Sequence, residues 1–163
     1  MIALLGQMGD LSEQEKSTNC ETLVHIHNVN QLLQSVIANL QDRATNHDRS
    51  KLHDPELSTF NKFTPLLKET KYGSDKYLDY LKSMKPALDN HYINNSHHPE
   101  HFENSINGMS LLDLLEMVID WKASTLRTKD GDIRTSLKFN KDRFKIDTQL
   151  HNIIINTLDE LGL

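Results

Sequence analysis

Between residues 19 and 42, apolar side chains recur at Leu23, Val24, Ile26, Val29, Leu32, Leu33, Val36, Ile37 and Leu40. Steps of three and four place such positions on one side of a helix, and no strand-like alternation is present. Asp54-Pro55-Glu56 supplies a capping side chain, a first-turn proline and a first-turn acid, which predicts a second helix through about residue 67. Gly73-Ser74-Asp75 is a break followed by a cap, and it predicts a third helix over about 75–94. The stretch 94–108 is polar, rich in Asn and His, and contains Pro99, so it reads as a loop. Ser110 then caps a strongly apolar helix through about residue 128, whose stripe from Leu111 to Ile119 is expected to be core. Residues 129–132, Lys-Asp-Gly-Asp, read as a turn. Helices over about 133–144 and 147–161 complete the pattern. The expectation is an all-α fold: a single-domain helical bundle of about six helices.

A length of 163 residues fits one domain. The expected layout is an N-terminal extension over 1–18, a core over 19–128 and C-terminal helices over 129–163. Hydrophobic residues make up 37 % of the chain and aromatics only 6 %, so aliphatic side chains must carry the packing. A formal charge of -5 argues against a binder of duplex nucleic acid, which carries a basic surface. It leaves room for a small anionic substrate if a bound cation supplies local positive charge. Cys20 has no partner for a disulfide, which fits a reducing compartment. The start, Met1 to Gly9, lacks the basic residues and apolar length of a signal peptide, and no stretch reaches the roughly 20 apolar residues of a membrane span. These features predict a cytoplasmic protein with no membrane partner. A homodimer is possible for a bundle of this size.

The chain has nine histidines, six of them in two short stretches, and that clustering changes the picture. His25 falls inside the first long helix, His47-Asp48 follows its end, and His91 lies near the end of the third. His97-His98 sits in the polar loop, and Asp120 stands among Met117, Val118, Ile119 and Trp121. An aspartate in such company needs a cation or several donors if it is buried. The plainer reading pairs Asp120 with Lys122 or Arg127, or sets it on a polar face with Asp113 and Glu116. Taken together, imidazole nitrogens and carboxylate oxygens are the ligand mix of Mn, Fe, Co, Ni or Zn, as one ion or two. Metal-bound water is far more acidic than bulk water, and the ion offsets charge on a phosphoryl oxygen.

The order His, His-Asp, His, His-His, Asp resembles the HD-domain superfamily of metal-dependent phosphohydrolases, which are all-helical. The resemblance implies a minimal metal set of His25, His47, Asp48 and Asp120, with His91, His97 and His98 as the added ligands of two-metal members. In many such members the added histidines lie farther apart than here. His27 is the alternative to His25, which the pattern Thr22-x-x-His25-Ile26 favours. A lysine three residues after the aspartate is also a family tendency, so Lys51 is expected to contact phosphate. The stretches 47–51, 97–101 and 113–122 are similar to small HD-like proteins frequent in bacteriophage genomes. That similarity covers roughly residues 20–128, and it implies the host cytoplasm if the gene is a phage gene.

The resemblance therefore implies a hydrolase acting on a small phosphorylated substrate, most concretely a nucleotide. Asp48, Lys51 and Glu56 are the expected catalytic residues. Arg49, Lys51, Lys122 and Arg127 are the expected substrate contacts. Glu56 has a structural alternative, as an acid favourable to the dipole of the helix it opens. Lys122 and Arg127 have another, a solvated helix face. Glu116, one turn before Asp120, suits a partner to a ligating histidine. Trp121 is expected in the core, with stacking on a base as its alternative. Two other readings stand beside the hydrolase: an HD-type di-iron oxygenase with nearly the same ligands, and a non-catalytic protein that binds metal or nucleotide.

Overall fold

The computed structural model describes residues 11–71, 74–127 and 130–163. The sequence-based expectations for Met1–Gly9, Gly73 and Lys129 lie outside these residues. All regular elements among the described residues are helical: α1 (Glu13–Asn46), α2 (Glu56–Lys68), α3 (Asp75–Asn94), α4 (Leu111–Thr125), α5 (Ile133–Phe144) and α6 (Thr148–Glu160). Short 3-10 turns occupy Arg49–Leu52, Pro99–His101 and Ser105–Gly108. No helix among the described residues is long and apolar enough to cross a membrane. The chain divides into two compact units, Met1–Thr45 and Asn46–Leu163.

The N-terminal unit contains α1, which starts six residues earlier than the apolar pattern predicts. Ser12 and Glu15 explain the difference. The Ser12 N–H donates to Glu15 Oε2 at 2.8 Å, and the Glu15 N–H donates to Ser12 Oγ at 3.3 Å. This reciprocal capping box satisfies two otherwise orphan donors and can open a helix ahead of any apolar residue. No residue of α1 is buried.

In the second unit the expected caps at Ser74 and Ser110 are present, whereas the N-cap expected at Asp54 is not: Pro55 holds that position, without a side-chain cap bond, and Glu56 is the first helical residue. Ser74 Oγ accepts from the Tyr77 N–H, and Ser110 forms a full capping box with Asp113. Asp132 and Asp147 accept from the amides of Thr135 and Leu150. The second helix begins at Glu56, and the Asp54 carboxylate accepts from the Ser58 N–H. The core joins α4, α5 and α6 through Met117, Val118, Ile133, Leu137, Ile154 and Leu158. Trp121 packs against this cluster and stacks on Phe144, with 6.0 Å between ring centroids. The expected core stripe of α4 is buried only on one side: Met117 and Val118 are covered, while Leu111 is 80 % and Ile119 40 % exposed. A helix in a small bundle buries one stripe, so a run of apolar residues all round it cannot be covered. The same helix stops at Thr125, three residues short of the expected end. Phe63 of α2 and Met84 and Ala87 of α3 are buried as well, where these two helices pack.

Candidate metal centre

His47 and Asp48 occupy the turn where α1 ends and the 3-10 turn Arg49–Leu52 begins. Asp48 has φ 56° and ψ 14°, in the left-handed region. Aspartate tolerates that region better than most residues, at a cost on the order of 1 kcal/mol, and such outliers concentrate at functional sites. The conformation places the Asp48 carboxylate among several rings. Oδ2 accepts from Lys51 Nζ at 2.6 Å. Oδ1 lies 3.3 Å from His91 Nε2 and 3.4 Å from His97 Nε2.

His91, on the last turn of α3, is buried and held from behind. Its Nδ1 is 2.8 Å from Glu56 Oε2. The wholly buried Glu56 carboxylate also accepts from Asn90 Nδ2 at 2.8 Å and from Ser50 Oγ at 3.1 Å. Asn95 Nδ2 donates to Ser50 Oγ and to the His91 carbonyl, which closes the network. With a carboxylate accepting at Nδ1, the Nε2 lone pair is directed at Asp48 and His98.

The stretch expected to be a loop is ordered by two 3-10 turns, and His97 in it is buried. Ser96 Oγ donates to Asp113 Oδ1 at 2.6 Å, while Asp113 Oδ2 serves the Ser110 cap. Glu100 accepts from Arg143 of α5 at 2.8 Å. Gly108 lets the Phe102 ring close onto the backbone, since a Cβ at Gly108 would stand 2.7 Å from Phe102 Cβ. Held in this way, His98 Nε2 lies 2.8 Å from His91 Nε2. Two such nitrogens meet either as N–H and lone pair or as two lone pairs facing one cation.

On α4, Glu116 and Asp120 lie one turn apart. Glu116 Oε1 is 2.9 Å from His47 Nδ1 and 3.2 Å from His97 Nδ1. Asp120 Oδ1 is 3.6 Å from His47 Nε2.

The charges divide unevenly. The Asp120 carboxylate, with Glu116 and Asp48, outweighs burial and raises the His47 pKa to about 9. Burial lowers that of His98 to about 3, helped by repulsion from His97 and His91. Burial and the Lys51 charge lower His91 too, against the opposing pull of Asp48 and Glu56. For both aspartates burial pushes upward and is overcome. His97, Lys51 and His47 hold Asp48 well below the usual carboxylate range, and His47 holds Asp120 down.

Two groups of ligand atoms result: Asp48, His91, His97 and His98, and His47, His97 and Asp120, the atoms of each group within 4.8 Å of one another. His97 is common to both. Asp48 Oδ1 and His97 Nε2 are buried without a hydrogen-bond partner among the described residues. An unsatisfied buried polar atom costs about 1–3 kcal/mol. A divalent cation would satisfy an anionic oxygen and an imidazole lone pair together, so the residues present fit such an ion.

Of the seven expected ligands, six converge here: His47, Asp48, His91, His97, His98 and Asp120. His25 is exposed on α1 in the N-terminal unit and belongs to neither group. Lys51 reaches Asp48 and lies over the Phe60 ring, 5.4 Å from its centroid. Arg49 is exposed at the start of its 3-10 turn; Lys122 is half-buried on α4 and Arg127 exposed on the turn after it. Glu56 does not face open space as a general base would: three donors occupy its oxygens. The residues without a signal in the sequence are Ser50, Asn90 and Asn95, which support His91 and Glu56, and Arg143, which holds Glu100 in the histidine segment.

Comparison with curated proteins and with solved structures found no match. Residues 14–160 match a family of unknown function, DUF5662, and the chain belongs to that family.

Proposed function

We propose that this family member is a metal-dependent phosphohydrolase acting on a nucleotide or a related small phosphate ester. The observation that carries this reading is the pair of His/Asp groups joined at His97, with two buried atoms, Asp48 Oδ1 and His97 Nε2, that stand 3.4 Å apart without a hydrogen bond, and a lysine on the Asp48 carboxylate. The order of these ligands, which resembles that of HD-domain hydrolases, supports it further. Asp48, His91, His97 and His98 would hold one ion of Mn, Fe, Co, Ni or Zn, and His47, His97 and Asp120 a second. When bound there, such ions acidify water and offset charge on a phosphoryl oxygen.

The protein's own groups take the remaining roles. Lys51, only part-covered, would bind a phosphoryl oxygen, with Arg49 beside it in the same turn. Lys122 and Arg127 are further cations for the anionic substrate. Glu56 fixes the His91 ring, so that Nε2 keeps its lone pair toward the centre.

Elemental analysis of protein purified without chelator or histidine tag, followed by a nucleotide phosphatase screen with added Mn, tests the proposal. Stoichiometric transition metal with phosphate release is the expected result. Asp48→Ala should lose both while its helical circular dichroism persists; unchanged metal content in that variant would overturn the assignment. Iron retained without phosphate release would point instead to oxygen activation.

A further inference from the structure

We propose that Glu116 is a positioning residue for both ion sites at once, so that the two groups gain and lose affinity for metal together. The inference rests on the metal-centre reading above. Its basis is the single oxygen Oε1, which stands 2.9 Å from His47 Nδ1 and 3.2 Å from His97 Nδ1. The two rings lie against each other, their centroids 4.4 Å apart. An imidazole that gives its Nδ1–H to a carboxylate presents Nε2 as a lone pair, and it is the Nε2 atoms of these rings that face Asp48 and Asp120. His47 belongs to the second group only, whereas His97 belongs to both. One carboxylate on α4 therefore sets the tautomer of a ligand in each group.

Glu56 supplies the contrast. It holds one ligand, His91, which belongs to the first group alone. If carboxylates in this centre act locally, the two glutamates should differ in how many sites they touch.

Zn(II) titration by calorimetry, on wild-type protein and on Glu116→Gln and Glu56→Gln, reads the difference. The amide keeps the size of the side chain but is an uncharged and therefore weaker acceptor for both N–H groups. In Glu116→Gln both binding steps should weaken by about 10–100-fold. In Glu56→Gln only one step should. Wild-type affinity at either step of Glu116→Gln, or a wild type that takes up a single ion, would overturn the coupling. A wild type that binds no Zn(II) would instead overturn the metal-centre reading itself.

Should Glu116→Gln fail to fold, imidazole 15N spectra of the Zn(II)-loaded wild type decide the matter. His47 and His97 should both carry a proton on Nδ1 and bind through Nε2. Ligation of either through Nδ1 would overturn the proposal.

Discussion

His91 and His47 each direct Nε2 toward Asp48, yet their surroundings differ in kind. His91 is 2 % exposed and sits in a closed network of Glu56, Ser50, Asn90 and Asn95, where every oxygen of the carboxylate has a donor. His47 is 30 % exposed and is held by charge, among Glu116, Asp48 and Asp120. In the first arrangement burial lowers the His91 pKa and so favours the neutral imidazole. The second stabilises the imidazolium, so a metal ion binding at His47 would have to displace a proton. The same residue type is thus prepared in one arm by desolvation and in the other by a counter-charge.

The largest effect is expected from breaking the closed arm. Glu56→Ala removes the acceptor of three donors in a buried network and should destabilise the metal-free protein by about 3–5 kcal/mol in urea unfolding. Asp120→Asn acts on the open arm. It should cost about 1 kcal/mol or less, as expected for a part-exposed pair, but move the His47 titration seen by NMR down from about 9. A shift of His47 in Glu56→Ala as large as in Asp120→Asn would erase the distinction between the arms.

The pH dependence of the chelated protein sharpens it. His47, raised in the folded state, contributes stability that is complete below its ordinary value near 6.5 and lost as pH rises through about 9. His98, lowered to about 3, contributes stability that is present above 6.5 and lost as pH falls toward 3. The denaturation midpoint should therefore fall on both sides of neutrality, and Asp120→Asn should flatten only the alkaline limb. The smallest effect on the centre is expected from Lys51→Ala, which should weaken substrate or inorganic phosphate binding several-fold while metal content stays at the wild-type level. Loss of metal in that variant would assign Lys51 to the structure of the centre.

The parts legible in the sequence are those decided locally. The caps at Ser74 and Ser110 each act within three residues, and the periodicity of the helices needs no tertiary information. The capping box at Ser12 was equally local, but it precedes the apolar run that marked the helix. Six of the seven candidate ligands were legible through their clustering and their resemblance to the HD pattern, while His25, expected with them, is not among the residues brought together. The supports of the six were not legible. Asn90, Asn95 and Ser50 are ordinary polar residues; Asn90 meets Glu56 across 34 positions of chain and Asn95 meets Ser50 across 45, only after α2 and α3 have packed. Glu56 itself reads as a helix-opening acid, because nothing in its neighbourhood signals that the helix start is buried.

Asp113 spends one oxygen on the cap that starts α4 and the other on Ser96, one residue before the paired histidines. A helix end and the histidine segment are thereby fastened by the same carboxylate and should open as one cooperative unit. In hydrogen exchange, the amide of Asp113, bonded to Ser110, and those of His98 and His101, bonded to Asn95 and His98, should lose protection together. The ligands would then be assembled at the moment when the helix acquires its first turn.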